Sequence, residues 1–217
     1  MIWCSSTMHF SSLLVGLLLS IESFFGLHAT ALDVPHATVL FGGDVMLDRT
    51  VRTVADERGG DFLFSCIYPL LKSQDLVVVN LEGPITANPS LSEYSTPAGT
   101  NNYTFTFPLT TGDLLAEHNI RMVNLGNNHI ENFGTDGVRS TITALTRAGV
   151  DYFGDPLTQR VAHTSLNTIP LAFINYNEFG PSAKQNASTT IQQIRDARTA
   201  GYIPVVYTHW GIEYVAA

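Results

Sequence analysis

Cysteine, charge and basic residues are all scarce in this 217-residue sequence. Its two cysteines, Cys4 and Cys66, exclude a disulfide framework, and Cys4 falls in a segment expected to be removed or held in a membrane. A chain of this length can bury a core without disulfides, so their absence does not argue against export. Only 14% of residues are charged against 45% hydrophobic, which is globular composition. Eleven Lys and Arg stand against nineteen Asp and Glu, a net charge of -8 that argues against a nucleic-acid partner. An acidic surface still admits an anionic substrate, because a bound cation inverts the local field. Neither an internal repeat nor a linker breaks the sequence, which reads as one domain.

The scarcity of basic residues is greatest at the N-terminus, where no Lys or Arg precedes Arg49. Phe10 to Leu27 is apolar apart from serines, glycines and Glu22, and its densest part runs from Leu13 to Leu19. Ala29-Thr30-Ala31 then offers the small-x-small pattern of a signal-peptidase site. The expectation is a secretory signal peptide over residues 1–31, which makes the protein exported, to the cell envelope or beyond. The alternative is a membrane anchor over residues 10–27, against which the Glu22 carboxylate near mid-bilayer weighs.

Beyond Pro35, short apolar runs alternate with amphipathic stretches. Strands are expected at Thr38–Phe41, Leu76–Val79, Tyr103–Phe107, Met122–Leu125, Tyr152–Phe153, Leu171–Ile174 and Ile203–Tyr207. Leu76–Val79 is wholly apolar and β-branched, as a central strand buried on both faces should be. Helices are expected at Arg49–Arg58, Phe62–Lys72 (interrupted by Pro69), Leu114–His118, Val138–Ala148 with Gly149 as its cap, and Thr189–Thr199. Residues 86–102 form a long loop rich in Ser, Thr, Pro, Asn and Gly. Strands alternating with helices imply an α/β fold, with ligands beyond the carboxyl ends of the strands.

Polar clusters follow those strand ends. They are Asp44; Asn80 with Glu82; Asn127, Asn128 and His129; and His209 with Glu213. Carboxylate, imidazole and amide oxygen are ligands that Mn, Zn, Fe or Mg accept, as one ion or as a dinuclear pair. His129 could instead face the substrate as a general acid. Each residue also has a plainer role: Asp44 as a helix cap or turn residue, Asn80 as a strand end, Glu82 and Glu213 as solvated acids, Asn127 as a turn former, His129 and His209 as surface histidines. Taken together, the plainer roles require several independent coincidences at strand ends.

Four segments in order carry a resemblance: Gly43-Asp44-Val45-Met46-Leu47, Asn80-Leu81-Glu82-Gly83-Pro84, Gly126-Asn127-Asn128-His129 and His209-Trp210-Gly211-Ile212-Glu213-Tyr214. Over about Thr38 to Tyr214 the chain resembles the CapA family, the poly-γ-glutamate capsule-synthesis proteins. That family is similar to calcineurin-like metallophosphoesterases. The resemblance implies a β-sandwich flanked by helices, a four-layer α/β/β/α arrangement with a metal centre at the strand ends. It implies Asp44, Glu82, Asn128 and His209 as metal ligands, with Glu82 bridging. His129 is implied as acid or substrate contact, with Asn80, Asn127 and Glu213 in support.

Three departures qualify the likeness. Met46 stands where the phosphoesterase pattern has a histidine. Asn132, beside Glu131, stands where the family has an aspartate. The family's Gly-His-His-Pro-His segment would lie past Ala217, so a member with its C-terminal part missing is expected. The expected function is capsule or poly-γ-glutamate synthesis or anchoring in the bacterial envelope, acting on an anionic polymer or phosphoester and in contact with membrane-bound synthase subunits. A non-catalytic polymer-binding or synthase-subunit protein and a secreted metal-dependent hydrolase of another substrate are the alternatives.

Overall fold

Four apolar residues in succession, Leu76-Val77-Val78-Val79, offer no polar face to water, and in the computed structural model of the chain their strand lies between two others. The structure describes residues 34–92, 102–179 and 183–211, with side chains in the last stretch described from Asn186. The expected signal peptide and Glu213 lie outside these residues.

The first sheet is parallel and runs in the order β1 (Val39–Val45), β2 (Leu76–Leu81), β3 (Ile120–Asn124), β4 (Asp151–Phe153). Among the described residues five helices connect its strands: α1 (Arg49–Arg58), α2 (Asp61–Phe64), α3 (Tyr68–Lys72), α4 (Thr111–Glu117) and α5 (Gly134–Ala148). The second sheet comprises β5 (Ala162–Leu166), β6 (Ile169–Asn177) and β7 (Ile203–His209). β5 is antiparallel to β6, and β7 is parallel to β6. The crossover between β6 and β7 is α6 (Ala183–Thr199).

Strand alternation sorts the apolar residues into three layers of core. Val77, Val79 and Leu81 of β2 point to one face and pack with Leu115 of α4 and Val138 and Leu145 of α5. Leu76 and Val78 point to the other face and meet Phe173 and Leu171 of the second sheet, with Met122 and Phe153 beside them. Ala172 and Ile174, on the far side of β6, pack against Ala197 and Ile194 of α6. The result is the expected helix, sheet, sheet, helix order. Among the described residues no helix is long and apolar enough to cross a membrane.

Most expected elements are present, and the differences have identifiable causes. Gly149 closes α5 in the left-handed conformation at φ 68°, as its position predicts. Phe62–Lys72 divides into α2 and α3, with Pro69 in the first turn of α3, where a missing N–H costs little. Tyr103–Phe107 is not a strand. Only Phe107 pairs, through an isolated bridge to Ile85. The backbone N–H of Phe105 donates to Asn132 Oδ1 at 2.7 Å and that of Thr106 to Asp48 Oδ2 at 2.9 Å, so side chains take the donors a ladder would use. β5 was not expected, because Ala162-His163-Thr164-Ser165-Leu166 has little apolar signal. Asp44 is not a helix cap: it lies in β1, and Asp48 caps α1.

Candidate metal centre

Parallel pairing sets the site. Asp44 of β1 is in register with Asn80 of β2, and Asn80 with Asn124 of β3, so three polar side chains form a row at the carboxyl edge of the sheet. β1 reaches this register through an irregularity between Phe41 and Asp44, the position of Gly42-Gly43. β7 brings His209 to the corresponding end of the second sheet, opposite Asn177.

Asn80 is fully buried, and its carboxamide orientation follows from its partners. Its Oδ1 accepts from Asn124 Nδ2 at 3.0 Å and from Asn127 Nδ2 at 3.1 Å. Its Nδ2 must therefore face the other way, where it donates to Asp44 Oδ1 at 2.8 Å and to Glu82 Oε2. One neutral amide thus holds two carboxylates side by side. Asn124 is the supporting residue that pattern reading passed over. It lies within the polar strand tip, but nothing in its spacing separates it from Asn127.

Asn127 shapes the turn: its Oδ1 accepts from the backbone of His129 at 3.0 Å and of Ile130 at 2.9 Å. That turn presents Asn128 outward and His129 inward. His209 Nε2 lies 2.9 Å from Asn128 Oδ1 and 3.5 Å from Glu82 Oε1, and its Nδ1 lies 3.8 Å from Asp44 Oδ1. One ligand atom from each of Asp44, Glu82 and His209 lies within 4.8 Å of the others. Two ligands about 2.1 Å from one cation and at right angles are roughly 3 Å apart, so the Asn128–His209 separation also suits a shared ion.

The donor set fits a divalent cation. Two carboxylates, an imidazole and an amide oxygen are a mixed oxygen and nitrogen set of the kind Mn, Zn, Fe and Mg accept. Glu82 is only 8% exposed, and a buried carboxylate is costly unless a cation or hydrogen bonds compensate it. Burial, and after it the negative charge of Asp44, pushes the Tyr207 hydroxyl up to about 12. Tyr207 is thereby held as a neutral phenol, which donates to the Gly42 carbonyl at 2.5 Å.

His129 is nearly buried and packs on Phe105, with ring centroids 4.4 Å apart. Its Nδ1 lies 3.3 Å from Asn132 Oδ1, an oxygen that already accepts from Phe105. Nδ1 is therefore the donor of that pair, and Nε2 is directed at Glu82 Oε1, 3.9 Å away. Asn132 orients the ring as an aspartate would, without the charge. Met46 turns away from the centre and packs against the helix-side core, where its sulfur accepts from the Asp48 N–H at 3.3 Å.

Comparison with known proteins bears on this arrangement. The family profile described as bacterial capsule synthesis protein PGA_cap matches residues 38–217. The chain is 25% identical over 192 residues to the PGA biosynthesis protein CapA of Bacillus subtilis (strain 168), covering 80% of this chain and 49% of that protein. It is 26% identical over 196 residues to the capsule biosynthesis protein CapA of Bacillus anthracis, covering 82% of this chain and 47% of that protein. The chain thus spans about half the length of these curated relatives.

Proposed function

Because the chain belongs to the bacterial capsule synthesis family PGA_cap, we propose that it is an exported protein of poly-γ-glutamate synthesis or anchoring whose strand-end cluster works with a divalent cation. The observation that carries this reading is the approach of Asp44, Glu82 and His209 ligand atoms to within 4.8 Å of one another. Asp44, Glu82, Asn128 and His209 would hold the ion, with Glu82 central. A cation there supplies Lewis acidity toward a phosphoryl or carbonyl oxygen and offsets the negative field that would repel an anionic polymer.

The protein's own groups supply the rest. Asn80 fixes the spacing of the two carboxylates through its amide. His129, with Nδ1–H held by Asn132, offers Nε2 at the edge of the cluster, where the imidazolium form would donate a proton to a leaving oxygen or nitrogen. Asn127 fixes the turn that presents both Asn128 and His129. A membrane-bound synthase as partner and export by the N-terminal apolar segment belong to the same proposal, supported by family membership and by the sequence of residues 1–31.

The test is divalent-ion-dependent cleavage of a generic phosphoester and of γ-linked glutamate oligomers by the purified chain. The proposal expects activity on at least one that is abolished by chelation and by Glu82→Gln. Activity equal in chelator would contradict it. One observation favours a second, non-catalytic reading: Met46, partly buried against the helix-side core, stands at the position where the phosphoesterase pattern has a histidine. That reading expects polymer association that survives Glu82→Gln, with no cleavage in any form.

A further inference from the structure

A polar concavity borders the Asn127-Asn128 turn. It is a cleft of about 460 Å³ between that turn, the end of β6 and α6 from Asn186 to Gln193, within the size range of small-ligand sites. We infer that this cleft binds an uncharged polyhydroxylated ring, a neutral sugar residue, beside the metal centre. The inference goes beyond the capsule reading and needs no cation.

Three features carry it. The first is charge. The described residues that line the cleft include two carboxylates, Glu131 and Asp155, and no Lys or Arg. An anionic group placed there would meet those two carboxylates, with no counter-charge among the described lining residues. Asp155 is fully buried and its oxygens accept from Leu157, Thr158 and Arg160, so it serves its own turn and does not call for a cationic ligand.

The second is the kind of polar group present. Asn175, Asn177, Gln193 and Thr190 line the cleft and offer both donors and acceptors. A sugar hydroxyl needs both, since each O–H gives one hydrogen bond and takes others. Among the described residues Asn175 Oδ1 is buried with no hydrogen-bond partner. Its carboxamide is fitted closely into the fold. A Cβ at Gly126 would stand 2.1 Å from its Nδ2, and one at Gly154 would stand 2.5 Å from its Cβ. Two glycine positions therefore let this amide sit closely against the backbone behind the cleft, with Asn177, Gln193 and Thr190 as the polar groups nearest a ligand.

The third is an apolar face. Phe179 lines the cleft, and its ring also packs on His209 at 4.9 Å between centroids. An aromatic ring beside amides gives a saccharide one apolar surface for its C–H face and polar groups for its hydroxyl edge. Phe179 also joins this cleft to the metal centre, so a sugar held there sits next to any bond presented to the cation.

The test is binding by the full chain in chelator, which removes any dependence on the metal centre. Maltotriose and N,N′,N″-triacetylchitotriose are the saccharide probes, with triglutamate and trialanine amide as anionic and neutral peptide controls. Calorimetry is expected to detect at least one saccharide at millimolar concentration and neither control. Phe179→Ala and Gln193→Ala, both on partly exposed positions, are each expected to weaken it about fivefold or more with unchanged thermal melting. Absence of saccharide binding, tighter binding of triglutamate or trialanine amide, or saccharide affinity unmoved by both substitutions would overturn the inference. None of these results depends on metal content or cleavage, so its failure is separable from failure of the capsule proposal.

Discussion

Asn80 stands opposite Asp44 in the parallel pairing of β1 and β2, and its amide nitrogen donates to the Asp44 carboxylate at 2.8 Å. The same nitrogen reaches Glu82, while the amide oxygen is held by Asn124 and Asn127. The spacing of the two carboxylates thus depends on a neutral residue that need not touch the ion.

Asn80→Ala should therefore do two things. It leaves the buried amides of Asn124 and Asn127 each short of an acceptor and brings two carboxylates together without a donor between them. A stability loss of about 2–4 kcal/mol is expected in urea unfolding with chelator present. Added divalent cation should restore part of that loss. A loss below about 0.5 kcal/mol would show that the amide ladder is not what supports the edge.

Two glycines near the same edge should respond differently. Gly154 is at φ 74°, and a Cβ there would stand 2.5 Å from Asn175 Cβ and 2.8 Å from Asn124 Oδ1. Gly154→Ala is expected to cost at least about 2 kcal/mol through strain and overpacking. Gly43, with nothing within 4 Å of its notional Cβ, should accept alanine within about 0.5 kcal/mol. Thermal unfolding of the two variants side by side measures the contrast.

Acid stability should carry a signature from the start of β1. Asp75 accepts from the Thr38 N–H at 2.7 Å and the Thr38 hydroxyl at 3.0 Å, and these bonds hold its carboxyl below the ordinary value of 3.8. A lowered native value means the folded state favours the charged form. The stabilisation is present above the ordinary value and is lost as pH falls through the native one. Asp75→Asn should therefore lower stability at neutral pH, and the difference from the parent should shrink to nothing in strong acid. A constant difference across that range would assign it to packing instead.

In the proposed assignment His129 acts on substrate and does not hold the cation; its ring is anchored by Phe105 and Asn132, with Nε2 3.9 Å from Glu82 Oε1. His129→Gln should leave cation affinity within about threefold and, where cleavage is seen, reduce turnover roughly 10²–10⁴-fold. Loss of the cation in this variant would make His129 a ligand instead.

The legible parts of the fold are those set by local chemistry. Leu76–Val79 reads as a central strand because a strand buried on both faces must be apolar at every position. Gly149 reads as a helix end because the left-handed cap there favours glycine. Asp44, Asn80 and Asn128 read as candidate site residues because each comes at or after the end of an apolar run. The four-layer arrangement came from family likeness, since no local pattern says that β2 packs one face on helices and the other on β6.

What escaped reading depends on distant partners. Thr106 gives its N–H to Asp48, 58 residues away, so an alternating segment that looks like a strand is held as a loop. Asn124 is indistinguishable in sequence from an ordinary strand-end asparagine, and Asn132 stands out only as a departure from the family's aspartate. Their roles appear only when Asn80 and His129 are brought against them.

The most direct test of the central claim is the metal content of the purified chain beside that of His209→Ala. Asp44, Glu82, Asn128 and His209 acting together predict near-stoichiometric Mn, Zn, Fe or Mg in the parent chain after dialysis against trace metal, and its loss in the variant. Absence of metal from the parent, or equal metal in both, would contradict the assignment.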